Sequence, residues 1–121
     1  MSSQHEQLRE RTKKFAIRIV KAVQRLPKTD EARTMGKQLL RSATSVAANY
    51  RAAGRARPKA EFIAKMGVVV EEADETVFWL QLLTETALVQ KELVQDLVTE
   101  ANELLAIFAA SQQTAKGHGK T

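Results

Sequence analysis

Residues 62–83 read FIAKMGVVVEEADETVFWLQLL, a stretch whose apolar side chains return every three or four positions. Because 3.6 residues make one helical turn, this spacing predicts one face of a long α-helix at about 58–86. Pro58 suits the first turn of that helix. The apolar positions of the face are Phe62, Met66, Val69, Ala73, Val77, Leu80 and Leu83.

Three other stretches have the same period and predict helices at about 5–26, 30–54 and 90–111. Pro27 ends the first of them. The fourth helix of the chain is expected to bury a stripe, which comprises Leu93, Leu97, Ala101, Leu104 and Phe108. Four amphipathic helices with short loops predict an all-α fold, an antiparallel up-down-up-down four-helix bundle.

Capping residues predict the ends of the second helix, and composition predicts the end of the domain. Asp30 is an N-cap candidate, and Gly54 is a natural C-terminal stop. The bundle is predicted to occupy residues 1–111. Residues 112–121 are polar and contain glycine, which predicts a disordered C-terminal tail.

Composition excludes several classes of protein. The 121 residues include five Gly and two Pro, which are too few for the many turns of an all-β fold. They include no Cys, which excludes a disulfide, a thiol nucleophile and a thiolate metal site. No apolar run approaches the roughly 20 residues of a membrane span, and the first residues lack the apolar core of a signal peptide. We therefore expect a cytoplasmic protein.

Charge is divided unevenly along the chain. Residues 1–60 hold fifteen basic and four acidic residues, a net +11, whereas residues 61–121 hold four basic and ten acidic residues, a net −6. Two interpretations remain open: basic and acidic helices pair with one another, or the excess forms a patch for a polyanion such as RNA or DNA.

The first helix carries five cations on one face, spaced three or four residues apart over about 21 Å. No Asp or Glu lies between Glu10 and Asp30 to offset their repulsion. An acidic neighbouring helix or a bound polyanion would offset it. We call this set the basic ridge, and it comprises Arg11, Lys14, Arg18, Lys21 and Arg25.

A second basic cluster surrounds the turn that opens the third helix. A helix N-terminus offers free N–H groups and partial positive charge, so adjacent cations complete a candidate phosphate site. The alternative is a solvated basic loop. We call this set the turn cluster, and it comprises Arg51, Arg55, Arg57 and Lys59. Both basic features lack base-stacking aromatics, which favours recognition of backbone and shape.

The sequence contains no convincing pattern of catalytic or metal-binding residues. A carboxylate metal site in a bundle needs Glu-x-x-His pairs, and neither histidine of the chain belongs to one. We therefore expect no metal, no cofactor and no enzymatic activity. A polar strip of Ser42, Ser45 and Asn49 is expected to hydrogen-bond across helices or between subunits. Apolar residues beyond one stripe per helix predict contact between copies.

A family resemblance rests on the second and third helices. The pattern Gln38-Leu39-x-Arg41-x-x-x-Ser45-x-x-x-Asn49, with Glu61-Phe62-Ile63 and EADETVFWL at 72–80, resembles the four-helix bundle family encoded in ribosomal RNA intervening sequences. The resemblance covers about residues 8–110. It implies short bundles that assemble as homopentamers, associate with nucleic acid and have no enzymatic activity. It assigns structural roles to Arg41, Ser45, Asn49, Glu61 and Phe62.

The fold is also similar to the accessory protein of diversity-generating retroelements, a basic pentamer thought to engage nucleic acid and a reverse transcriptase. Our leading hypothesis is a non-enzymatic homo-oligomer, with a pentamer favoured, that binds structured RNA or DNA through the basic ridge, helped by the turn cluster. The alternative is an oligomeric scaffold or protein adaptor whose charges serve subunit pairing.

Overall fold

The computed structural model describes residues 3–117, and within that range it contains four α-helices and no strand. The helices are α1 (Gln4–Gln24), α2 (Asp30–Ala53), α3 (Lys59–Glu85) and α4 (Lys91–Ala115). α1 packs on α2, α2 on α3 and α3 on α4, and α1 also contacts α4. The predicted all-α four-helix bundle is confirmed.

The first helix begins with a capping box that the sequence reading missed. The Ser3 Oγ accepts from the Glu6 backbone N–H at 3.0 Å, and the Glu6 Oε1 accepts from the Ser3 N–H at 2.9 Å. Each bond satisfies a backbone donor that has no partner within the helix. The capping box therefore fixes where α1 starts.

The N-cap of α2 is Thr29, not the predicted Asp30. The Thr29 hydroxyl accepts from the Ala32 N–H at 3.2 Å, and Asp30 is already helical. Asp30 still favours this end, because a carboxylate in the first turn interacts well with the helix dipole. Gly54 is the C-cap of α2, as predicted.

The turn after α3 places Ala87 in the left-handed region, with φ of 60°. The Leu88 N–H donates to the Leu83 carbonyl at 3.2 Å and the Ala87 N–H to the Thr84 carbonyl at 3.0 Å. This pair of bonds is a Schellman motif, whose left-handed position glycine usually fills. The backbone at Ala87 is therefore strained in the turn that leads from α3 to α4.

The core lies along one face of each of the four helices. Ile19, Leu39, Met66, Leu80 and Phe108 are each at most 1% exposed. On α3 the predicted face is buried from its second position, Met66, onward, whereas Phe62 is partly buried at the end of the core. The heptad-like spacing therefore located most of the core correctly.

The prediction for the start of α4 was wrong. Leu93 is 64% exposed, and the neighbouring Val94 is buried instead. The buried positions Val94, Leu97, Ala101 and Leu104 keep steps of three and four, and a core position at Leu93 would break that alternation.

The predicted tail was also wrong over its first residues. α4 continues through residues 112–115 to Ala115, and the Gln112 side chain donates to the Ile63 carbonyl on α3 at 3.3 Å. This bond anchors a polar residue that composition assigned to a disordered segment. The remainder of the predicted tail, residues 118–121, lies outside the described residues.

Candidate nucleic-acid interface

The basic ridge runs along the side of α1 that borders α4, and its first member is bound within the bundle. The Arg11 guanidinium donates two hydrogen bonds of 2.7 Å to the Glu100 carboxylate and one of 2.8 Å to Glu103. The hydrogen bond to Glu100 is the main cause that raises the pKa of Arg11 above its ordinary value. Arg11 therefore joins α1 to α4, and its positive charge is largely neutralised.

The other four cations of the ridge have no such partners. Lys14, Arg18, Lys21 and Arg25 are exposed, and within residues 3–117 none of them forms an ion pair. From the first to the last of them the ridge extends about 16 Å at 1.5 Å per residue. The open part of the ridge therefore carries four unneutralised charges along one line.

The turn cluster is also exposed at every position. Arg51 lies in the last turn of α2, Arg55 and Arg57 lie in the turn, and Lys59 is the first residue of α3. Pro58, the N-cap of α3, offers no side-chain bond to the first helical N–H groups. The exposed Glu61 in that first turn adds a negative charge and partly balances the cations.

His5 connects this turn to α1. Its ring stacks on Tyr50 with the centroids 4.4 Å apart, and its buried Nε2 has no hydrogen-bond partner within residues 3–117. A Cβ built on Gly54 would lie 1.9 Å from that Nε2, so only glycine leaves room for the ring. Burial, and next the charge of Arg9, lowers the pKa of His5. The start of α1 is thereby packed against the end of α2, beside the turn cluster.

The motif residues of α2 divide into two kinds. Arg41 donates to both Glu72 and Glu75 on α3, and these bonds raise the pKa of Arg41, with Glu75 the largest cause. The Trp79 indole N–H donates to the same Glu75 at 3.0 Å, and Arg41 and Trp79 together lower the pKa of that carboxyl. Arg41 therefore links α2 to α3.

The polar strip was predicted to hydrogen-bond across helices or between subunits, and Ser42 makes a bond of the first kind. The Asn49 Nδ2 donates to the backbone carbonyl and the Oγ of Ser45, both at 2.9 Å and both within α2. Within residues 3–117, Ser42 is the one member of the strip that bonds across helices, because Thr76 of α3 donates to its Oγ. Phe62 packs at the edge of the core, and Glu61 faces solvent.

A groove lies beside the open part of the ridge, between α1 and the start of α4. Its volume is about 350 Å³, and its lining combines aliphatic side chains with three cations of the ridge. The sequence reading missed this groove, because it depends on how far apart two helices lie.

Metal sites and membrane spans were sought in the same range. Within residues 3–117, no three His, Asp or Glu side chains converge as ligands of a metal ion. Over the same part of the chain, no helix combines the length and the apolar character that crossing a bilayer requires.

Comparison with known proteins shows which family the chain is similar to. A family model described as 23S rRNA-intervening sequence protein matches residues 4–110. The chain belongs to this family. The match confirms the resemblance drawn from the α2 and α3 motifs, and it covers nearly the whole bundle.

One solved structure is similar to this member of the 23S rRNA-intervening sequence protein family over almost its full length. It is a protein of unknown function from the S23 ribosomal protein family of Bacteroides thetaiotaomicron. The identity is 31%, the TM-score is 0.83, and the alignment covers 92% of this chain and 99% of that one. Among curated proteins, none matches this chain.

Proposed function

We propose that this chain is a non-enzymatic, homo-oligomeric bundle that binds structured RNA or DNA electrostatically through the open part of the basic ridge. The observation that carries the proposal is the contrast within the ridge. Arg11 is neutralised by Glu100 and Glu103, whereas Lys14, Arg18, Lys21 and Arg25 are exposed and lack carboxylate partners among the described residues. Aligned, uncompensated cations are the electrostatic footprint of a polyanion site.

Structured RNA is the first ligand to test. The family name refers to an intervening sequence of 23S rRNA. The ridge also lacks aromatic side chains, so contacts with phosphates account better for binding than base stacking does. Because structured RNA is found in the cytoplasm, the proposed location of this protein is the cytoplasm.

The bundle itself is proposed to run up-down-up-down. The contact of His5 with Tyr50 brings the start of α1 to the end of α2, and the bond from Gln112 to Ile63 brings the end of α4 to the start of α3. Short connections between helices favour the same arrangement.

Self-association is supported by apolar side chains that the single chain leaves open. Phe78 is 50% exposed and Val68 38% exposed, both on α3. Contact with a second copy would remove these side chains from water, which favours association. We favour a pentamer, in which binding sites on several copies would act together on one nucleic acid. The solution mass from light scattering tests the assembly.

The binding test measures affinity for a paired RNA stem by fluorescence anisotropy at increasing salt. We expect the logarithm of the association constant to fall linearly with the logarithm of salt concentration. The triple variant Lys14→Gln, Arg18→Gln, Lys21→Gln should reduce the magnitude of that slope by about 3. A matched control neutralises Arg33 and Lys37, two exposed cations of α2. No binding at low salt would refute the proposal.

The scaffold hypothesis remains a second candidate, favoured by the ion pairs that Arg11 and Arg41 already make with acids of other helices. In that case charge stabilises the assembly rather than a complex. Neutralising the ridge would then reduce the mass measured by light scattering, and the assembly would dissociate as salt increases.

A further inference from the structure

The groove between α1 and α4 has an apolar interior. It has a volume of about 350 Å³ and extends from exposed Leu93 inward to Val94 and Leu97, which are 5% exposed. Val23 of α1 and Leu26, just beyond the end of that helix, also line it. The volume falls in the range of sites that hold small molecules or parts of larger ones. The groove therefore has room for one compact, flat apolar group.

The edge of the same groove is positive. Arg18, Lys21 and Arg25 all line it, and no Asp or Glu is among its lining residues. These three cations belong to the open part of the ridge, where they lack ion-pair partners within residues 3–117. An occupant that complements the groove must therefore combine an apolar body with negative charge on its flanks.

We propose that the groove receives one unpaired base of a structured nucleic acid, while the phosphates on either side of that base contact Arg18, Lys21 and Arg25. This inference rests on the proposed function and specifies its ligand as a helix interrupted by an unpaired nucleotide. A nucleobase presents two apolar faces, and its strand carries a phosphate on each side. Charge complementarity thus favours this occupant over a neutral one.

The lining also determines what kind of recognition is available. Aliphatic side chains such as Val94 and Leu97 contact the faces of a base but offer no hydrogen bonds to its edge. The groove therefore selects for an unpaired base without selecting which base it is. This supplies an apolar surface for a base even though the ridge has no aromatic residue.

The test compares three labelled RNA hairpins by fluorescence anisotropy. One stem is fully paired, the second has a single unpaired adenine, and the third has an abasic nucleotide at the same position. The wild-type protein should bind the adenine hairpin about tenfold more tightly than the other two. Equal affinity for the adenine and abasic hairpins overturns the groove inference, whereas failure to bind any hairpin overturns the proposed function itself.

Two substitutions localise the effect. Leu93→Asn removes an exposed apolar side chain from the groove, and Val89→Met places a longer, non-aromatic side chain in it. Both should abolish the preference for the adenine hairpin and leave affinity for the paired stem within about twofold. Ile17→Asn is the matched control, since Ile17 is an exposed aliphatic residue that does not line the groove.

Each alternative occupant has its own result. If Leu93→Asn keeps the preference, or Ile17→Asn loses it, the base does not bind in the groove. If Leu93→Asn instead lowers the mass of the assembly in light scattering, a second copy of the chain occupies the groove and the inference is overturned.

Discussion

Thr76 of α3 donates a hydrogen bond to the Oγ of Ser42 on α2 at 2.9 Å, and both residues are at most 1% exposed. Ser42 in turn donates to the Leu39 carbonyl at 3.2 Å. Two hydroxyls that would be costly to bury alone are therefore satisfied by each other and by the backbone. The pair gives α2 and α3 a buried polar link in addition to the ion pairs of Arg41 with Glu72 and Glu75.

This link should contribute measurably to stability. Ser42→Ala and Thr76→Val should each lower the free energy of unfolding by about 1–2 kcal/mol. The double variant should be less destabilised than the sum of the two, because the hydrogen bond between the two hydroxyls is lost in each single variant and can be lost only once. Urea denaturation of the four proteins measures the coupling. Strict additivity would show that the two hydroxyls do not depend on each other.

Arg11 and Lys14 should have separable roles although both belong to the basic ridge. Arg11→Gln leaves Glu100 half-buried without its partner and should lower the free energy of unfolding by about 1–2 kcal/mol. Lys14→Gln should change it by less than about 0.5 kcal/mol, since Lys14 is exposed and forms no ion pair within residues 3–117.

Nucleic-acid binding should show the opposite order. Lys14→Gln should weaken RNA binding more than Arg11→Gln does, because the Arg11 charge is already neutralised. Thermal unfolding and anisotropy on the same two preparations check both statements. The same order in both measurements would contradict the division of roles.

Ala87→Gly should stabilise the protein. Ala87 has φ of 60°, a conformation that glycine adopts without steric cost, and it occupies the left-handed position of the turn after α3. We expect a gain of about 0.5–1 kcal/mol in the free energy of unfolding. Chemical denaturation measures it, and Ala60→Gly near the start of α3 is a control that should destabilise. A loss of stability in Ala87→Gly would refute the prediction.

His5 should make stability depend on pH in the weakly acidic range. Its pKa in the folded protein lies below the ordinary 6.5, so the unfolded chain binds the proton first as pH falls. The stabilisation that neutral His5 provides is therefore complete above about pH 6.5 and decreases as pH falls toward the lowered pKa. At pH values below that range, protonation of Glu75 removes its contact with Arg41 and lowers the free energy of unfolding further.

The His5→Gln variant isolates this effect. Its free energy of unfolding should vary less than that of the wild type between about pH 5 and pH 7. Both proteins should behave alike below that range, where Glu75 titrates in each. Parallel pH profiles for the two proteins throughout would show that burial of His5 does not affect stability.

Local patterns were enough to predict most of the fold. The spacing from Met66 to Leu83 predicted α3 and its buried face, because apolar residues that recur every three or four positions lie on one side of a helix. The ends were less accurate, since capping depends on single bonds such as the one from the Ala32 N–H to Thr29. Leu93 was misplaced because two adjacent apolar residues compete for one core position.

The candidate site was predictable only as a set of charges. Spacing placed Arg11 and Lys14 on one face of α1, but it could not show that Glu100, 89 positions away from Arg11, would neutralise only one of them. The groove beside Leu93 and the contact of His5 with Gly54 likewise arise from the packing of separate helices. These features depend on tertiary distances that no local period encodes.

The Arg11 bridge also makes the two halves of α1 unequal. Contacts with Glu100 and Tyr50 hold its first half, whereas its second half borders the groove. Amide hydrogens after Arg18 should therefore exchange with deuterium sooner than those near Thr12, because within residues 3–117 no ion pair joins the second half of α1 to α4. The portion of the helix that borders the proposed binding groove is thus also the portion expected to adjust most readily to an occupant.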